Sequence, residues 1–309
     1  MKIFSGNANL NLANKIATHV GVPLGDIELK KFSDGELHIA FNENIRGEDV
    51  FLIQSTNPPA EHLMELLLML DAAKRASAKT VTAIMPYYGY SRQDRKDKPR
   101  VPISARMILD LIAAIGVDRI ITMDLHSPQI QGFTNVPVDN LYSRIVLFSH
   151  LKSYGLDSST GVVLAPDVGS AQMSQAYAKK LGLSFALIDK RRPKHNVAEV
   201  VSLIGDLNNK TVFIIDDMID TAGTICNAAK TAVKNGANSV IAVATHPVLS
   251  GPAIDRLKEA PIEKIIVSDT IQMTDNQIFD KLEVISVAEV FAESIMRINQ
   301  GGSISSLFK

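Results

Sequence analysis

The feature that most constrains this chain is a repeated alternation. Continuous apolar, β-rich runs, DVFLIQST (49–56), TVTAIMPY (80–87), RIITMDLH (119–126), GVVLAPD (161–167), FALIDK (185–190), TVFIID (211–216), SVIAVATH (239–246) and KIIVSDT (264–270), are separated by longer segments of helical pattern. A strand that is apolar at successive positions has two faces to bury, which suits a parallel strand covered by helices on both sides. Strands alternating with helices predict an α/β doubly wound fold with a mainly parallel sheet flanked by helices. Helices are expected over 60–77, 103–115 and 224–235. Pro102 suits the first turn of the second of these, and Gly116 and Gly236 suit helix ends.

The alternation also echoes itself. VFLIQSTNPPAEHL…LDAAKRASAKTVTAIMPYY in the first half parallels VFIIDDMIDTAGTI…NAAKTAVKNGANSVIAVATHP in the second, each running strand, polar turn, Ala- and Lys-containing helix, strand. Two related halves follow from this reading, and 309 residues suit two domains of ordinary size. The boundaries expected are 1–143 plus 288–309 for one domain and 144–287 for the other. The halves differ where chemistry would sit. Gln54-Ser55-Thr56 in the first stands where Asp216-Asp217-Met218 stands in the second.

That acidic turn calls for a partner outside the chain. Adjacent carboxylates repel and are costly to desolvate. Here Asp216, Asp217 and Asp220 lead directly into Thr221, Ala222, Gly223 and Thr224 at the start of a helix. The backbone N–H groups, the two hydroxyls and the helix N-terminus form an anion cradle. Carboxylates beside such a cradle make sense if they face the hydroxyl groups of the same ligand, or a metal ion, and a sugar phosphate satisfies both halves. A P-loop ATPase would need GxxxxGK[ST]; the nearest string, GDLNNKT, lacks the second glycine and the length. An Asp-rich turn that merely caps a helix is the bland alternative.

Composition narrows the partners. A formal net charge of -1 argues against nucleic acid. The single cysteine, Cys226, fits a reducing compartment. MKIFSGNANLNLANKIA does not read as a secretory leader, and LMELLLMLDAAKRA (63–76) is too short and too charged to span a bilayer, so no membrane is implied and a cytoplasmic location is expected.

The acidic turn resembles the phosphoribosyl diphosphate signature of the type I phosphoribosyltransferase fold. With FSDGE (32–36), PYYGYSRQDRK (86–96), DLHSPQIQGF (124–133), PD (166–167), DKRRP (189–193) and the tail SISSLF, all in order, the chain resembles the ribose-phosphate diphosphokinases over nearly its full length. The resemblance implies two domains of that fold, an ATP side and a ribose 5-phosphate side, and a family reaction in which ATP and ribose 5-phosphate give 5-phosphoribosyl 1-diphosphate. It implies that Phe32, Asp34, Gly35 and Glu36 contact adenine and that Arg92 and Gln93 read ATP. It places Asp216, Asp217, Asp220, Thr221, Ala222, Gly223 and Thr224, with Arg192, on ribose 5-phosphate. His126 and Asp167 are implied at Mg²⁺, Lys190 and Arg192 as the transition-state pair, and a homo-oligomer, often a hexamer, as the assembly. Each assignment has a physical sense: an aromatic face for a base, acceptors for its amine, guanidinium for phosphate oxygens, and cations for the charge that develops in phosphoryl transfer.

Three positions depart from the family pattern: Thr134 where a second aromatic is usual, Ser170 where a glycine is, and Met173 in a segment that usually carries an arginine. A regulatory homologue without turnover and a phosphoribosyltransferase are the alternative readings.

Overall fold

The computed structural model describes residues 1–191 and 200–308. It divides into two compact units: Met1–Ser143 with Thr270–Gln272 and the segment from Ser286 onward, and Arg144–Asp269 with Met273–Ile285.

In the first unit, β1 (Lys2–Ser5) leads through α1 (Leu10–Val20) into an antiparallel hairpin of β2 (Ile27–Lys31) and β3 (Leu37–Phe41). The chain then alternates regularly: β4 (Asp49–Ile53), α2 (Glu61–Arg75), β5 (Thr80–Met85), α3 (Ser104–Ala114), β6 (Arg119–Met123) and β7 (Val138–Leu141). The sheet order is β1-β4-β5-β6-β7, parallel throughout. Side-chain alternation along the strands explains the core. Val50, Leu52, Val81, Ala83 and Met85 pack with Leu66, Met69 and Leu70 of α2 and with Ile108, Leu109 and Ile112 of α3. The intervening Phe51, Ile53, Ile84 and Ile121 are buried as well, so both faces of the sheet are covered.

The second unit repeats the plan with two strands added to the main sheet. It runs α4 (Arg144–Lys152), β8 (Gly161–Ala165), α5 (Ala171–Leu181), then β9 (Ser184–Arg191) and β10 (Val200–Ile204), paired antiparallel. There follow β11 (Thr211–Ile219), α6 (Gly223–Lys234), β12 (Ser239–Pro247), α7 (Ala253–Glu259), β13 (Lys264–Ser268) and β14 (Leu282–Ile285). The order is β10-β9-β8-β11-β12-β13-β14. Val212 and Ile214 of β11 face Ile225, Ala228 and Ala229 of α6, whereas Phe213 and Ile215 face Leu147 of α4 and Tyr177 of α5. Helices therefore lie on both faces, as a doubly wound sheet requires. The last helix, α8 (Ala288–Asn299), belongs to the first unit and packs against α1.

The correspondence between halves extends past the echoed segments. In each, a strand, a helix and an antiparallel pair precede a strand that returns beside the first, followed by three more strands in spatial order. Every strand expected from an apolar run is present. Three local expectations change. The 211–216 run continues as strand through Asp216 and Asp217 to Ile219, because β12 is equally long and pairs Asp216 with Ala244, Met218 with His246 and Ile219 with Pro247. The third helix begins at Gly223 rather than at 224. Pro102 precedes the cap rather than opening the helix, since Ile103 caps α3 and Ser104 begins it. Gly116 and Gly236 end their helices with φ of +91° and +84°, a conformation glycine adopts without steric cost.

Candidate active site

In the second unit the chain leaves β8 through α5 toward β9 on one side, and leaves β11 through α6 toward β12 on the other. β8 and β11 are parallel neighbours, so strand order reverses between them. The carboxyl ends of two such strands splay open, and ligands of open α/β sheets bind there. Asp167 lies just beyond β8, Asp216 and Asp217 lie near the end of β11, and Asp220 follows it. The fold thus gathers the acidic groups at this switch point.

Their electrostatics are those of crowded like charges. Burial, then the neighbouring Asp217 and Asp167 carboxylates, push the Asp216 carboxyl well above its ordinary range. The Asp217 N–H, donating to Asp216 Oδ1 at 3.0 Å, opposes that rise without cancelling it. Asp217 is itself buried. Asp167 is held by Ser170, whose N–H donates to Oδ1 at 3.0 Å and whose hydroxyl donates to the Asp167 carbonyl at 3.1 Å and to Oδ1 at 3.2 Å. The departure at Ser170 therefore adds a donor to Asp167, and Met173 of α5 packs against the apolar core.

The turn after β11 builds the cradle. Ala222 caps α6 in the left-handed region, φ +61° and ψ +5°, with no side-chain cap of its own. That conformation costs an alanine about 1–2 kcal/mol, and it sets successive N–H groups at the helix start converging, as in an anion-binding nest. Neighbours hold the turn. Ser250 donates its hydroxyl to Asp220 Oδ1 and its N–H to the Asp220 carbonyl, the latter at 3.1 Å, while the Leu249 N–H donates to the Ile219 carbonyl at 2.9 Å. Arg256 Nη1 donates to the Thr221 carbonyl at 3.0 Å. Thr221 and Thr224 are exposed. Ser250 and Arg256 were not singled out in the sequence, where nothing but proximity in the fold links them to the turn.

The equivalent strand ends of the first unit are closed by the protein itself. Asn7 N–H and Nδ2 donate to Glu65 at 2.6 and 2.7 Å, Gln54 Nε2 donates to Glu65 Oε1 at 2.7 Å, and the Ala8 N–H donates to Gln54 Oε1 at 3.0 Å. A Cβ on Gly6 would collide with Gln54 Oε1. Where the second unit has crowded carboxylates, the first has an amide hydrogen-bonded within the protein.

The remaining candidates of the first unit lie on loops. Phe32, Asp34, Gly35 and Glu36 form the tip of the β2–β3 hairpin. The Phe32 N–H donates to the Glu36 carbonyl at 2.8 Å, Gly35 has φ +96°, and Asp34 Oδ1 accepts the Glu36 N–H at 3.0 Å. The Phe32 ring is 54% exposed and lies 5.3 Å from the His38 ring, so an aromatic face is offered to solvent on a fixed turn. Arg92 is exposed in the loop before α3, and Gln93 accepts a hydrogen bond from the Ser104 hydroxyl at the start of that helix. His126 follows β6 and is exposed, two residues after Asp124, which accepts the Ser143 hydroxyl at 2.6 Å. Lys190 lies in β9, opposite Val201 of β10; its side chain, and Arg192 altogether, lie outside the described residues.

Comparison with known proteins places the chain in a family. A family model described as the N-terminal domain of ribose phosphate pyrophosphokinase matches residues 1–116, and one described as a phosphoribosyl synthetase-associated domain matches residues 189–309. A ribose-phosphate pyrophosphokinase of Chlorobaculum tepidum is 51% identical over 308 residues, spanning 100% of this chain and 95% of its own. One from Caldanaerobacter subterraneus subsp. tengcongensis is 51% identical over 312 residues and covered over 98% of its length. Among solved structures, phosphoribosylpyrophosphate synthetase from Mycobacterium smegmatis superposes with a TM-score of 0.92 at 39% identity, covering 97% of this chain and 99% of that one. Fold and switch-point site together define an α/β protein of two phosphoribosyltransferase-like domains. Within that class, the chain belongs to the ribose-phosphate pyrophosphokinase family.

Proposed function

We propose that this chain is a ribose-phosphate diphosphokinase: the C1 hydroxyl of ribose 5-phosphate attacks the β-phosphorus of ATP, the new C1–O–Pβ linkage forms, the Pα–O–Pβ bridge breaks, and AMP leaves. The observation that carries the reading is the juxtaposition, at one switch point, of crowded carboxylates and a helix-start anion cradle. In the proposal the 5-phosphate sits on Asp220–Thr224, with Thr221, Ala222, Gly223 and Thr224 as donors, and Asp216 and Asp217 accept from ribose hydroxyls. Phe32, Asp34, Gly35, Glu36, Arg92 and Gln93 hold ATP. Lys190 and Arg192 neutralise the diphosphoryl group in flight.

Mg²⁺ fits the residues present. The acidic, oxygen-rich donor set around Asp216 suits a hard cation. Among the described residues no three of His, Cys, Asp and Glu converge to enclose a metal; Mg²⁺ is commonly held by one or two carboxylates, waters and substrate phosphates. Asp167 and His126 are the proposed protein ligands. When bound, the ion would neutralise phosphate charge and orient the polyphosphate. Among the described residues no helix is long and apolar enough to cross a membrane. A cytoplasmic homohexamer without nucleic-acid partners is the assembly proposed, and sedimentation analysis checks its size.

Release of AMP from ATP, followed by nucleotide chromatography, tests the activity. AMP is expected only when ribose 5-phosphate and Mg²⁺ are both present, in equal amount to the diphosphorylated sugar. ADP and orthophosphate as products, or AMP without the sugar, would sink the reading.

A separate prediction concerns the base. Stacking on an aromatic ring contributes about 1–3 kcal/mol, and Phe32 is an exposed side chain whose loss creates no core cavity. Phe32→Ala is expected to raise the KM for ATP about tenfold with the KM for ribose 5-phosphate and the melting temperature unchanged. Equal effects on both substrates would remove Phe32 from the adenine site.

A further inference from the structure

Arg256 stands outside every motif that marks the family resemblance, on α7, some thirty positions beyond the acidic turn. Its guanidinium nevertheless reaches back to that turn, Nη1 donating to the Thr221 carbonyl at 3.0 Å and lying 3.6 Å from where a Cβ of Gly223 would be. In a trans peptide the carbonyl and the following N–H point in opposite directions. Fixing the Thr221 carbonyl therefore fixes the direction of the Ala222 N–H, the donor at the head of the cradle. A cation on the carbonyl also polarises the peptide and strengthens its N–H as a donor.

The need for such a brace is visible in the backbone. Ala222 is held at φ +61°, which an alanine adopts only when its surroundings over-determine it. The same region of the fold supplies other restraints. Ser250 holds Asp220, and Cys226 Sγ, one turn into α6, donates to the Arg256 carbonyl at 3.5 Å. Asp220 and Thr221 are thus gripped from the β12–α7 loop and from α7, and Arg256 brings a cation to these contacts.

We infer that Arg256 is a positioning residue for the 5-phosphate of ribose 5-phosphate, acting through the Thr221–Ala222 peptide rather than by touching the sugar phosphate. The inference rests on reading Asp220–Thr224 as the phosphate cradle. It deepens that reading by adding a residue that orients the cradle and favours its anionic occupant.

Steady-state kinetics on the full chain, with each substrate varied in turn, test it. Arg256 is exposed, so its variants keep the core intact. Arg256→Ala is expected to raise the KM for ribose 5-phosphate about tenfold while kcat and the KM for ATP stay within about twofold. Arg256→Lys, which keeps the charge and a donor, is expected to recover at least half of the loss on a logarithmic scale. Thr224→Val is run beside them as a test of the cradle itself and is expected to raise the same KM. An unchanged KM in Arg256→Ala beside an impaired Thr224→Val overturns the inference alone. An unchanged Thr224→Val overturns the cradle reading and the inference with it. A loss in Arg256→Ala shared equally by ATP, or no rescue by lysine, also overturns the positioning role.

Discussion

Lys190→Ala is expected to lower kcat by about 10²- to 10³-fold, the usual consequence of removing one preorganised group that meets charge developing in a transition state. Diphosphoryl transfer leaves little covalent work for side chains, so most of the barrier reduction comes from positioning and neutralisation. On the proposed assignment Lys190 provides half of that neutralisation, with Arg192. The fold is expected to survive. Lys190 lies beyond the β8–β9 pairing, which runs from Ser184 to Leu187, in the stretch where β9 pairs with β10 alone. Those contacts are backbone hydrogen bonds and remain when the side chain is cut back. A melting curve superposable on that of the unsubstituted chain, with kcat reduced and the KM for ribose 5-phosphate little changed, is the expected pattern. Lys190→Arg is expected to restore part of the rate, since charge returns but the point geometry of an ammonium does not. Turnover within a few-fold of normal in Lys190→Ala would remove it from the chemistry.

The strands that were legible in the sequence are those buried on both faces. Val162, Leu164, Val212 and Ile214 face one helical layer, and Val163, Phe213 and Ile215 the other, so the run is apolar at every position and cannot be mistaken. β1, β7 and β14, of four residues each, sit at sheet edges and carry too little pattern. The β2–β3 hairpin is half-exposed and charged along one side, IELKK, and gains its apolar contacts from other elements, lying on α2 and packing Phe41 against Phe4 of β1. The acidic turn was legible because its carboxylates are adjacent in sequence and expensive to bury. What braces it was not. Ser250 and Arg256 meet Asp220 and Thr221 only because β12 runs parallel to β11 and returns the chain to the same sheet end. No local pattern announces such a contact. The end of β11 was likewise misplaced from sequence, since polarity at Asp216 looks like a strand stop, whereas pairing with β12 carries the strand to Ile219.

Asp216→Asn is expected to raise the melting temperature of the ligand-free protein by about 2–5 °C while lowering kcat/KM for ribose 5-phosphate about ten- to a hundredfold. The two effects share one cause. Burial and the charges of Asp217 and Asp167 disfavour an ionised Asp216 in the folded chain and raise its carboxyl pKa. The unfolded chain has no such penalty, so the folded state binds the proton more tightly and stability falls as pH rises from the ordinary carboxylate range toward the raised value. At neutral pH the ligand-free protein carries this penalty, and an uncharged amide of the same shape removes it. The gain from Asp216→Asn should therefore shrink as the pH is lowered toward about 4, where the unsubstituted carboxyl is protonated in the folded state and about half protonated in the unfolded one. Calorimetry of both proteins between pH 4 and 8 reads the difference directly. A destabilised Asp216→Asn at pH 7.5, or a gain independent of pH, would contradict the crowding. Adding ribose 5-phosphate with Mg²⁺ should reverse the order, because a ligand that satisfies the carboxylates stabilises the unsubstituted chain by mass action and binds the variant more weakly. Such a reversal would identify the acidic turn as a place where stability in the empty protein is given up for affinity in the occupied one.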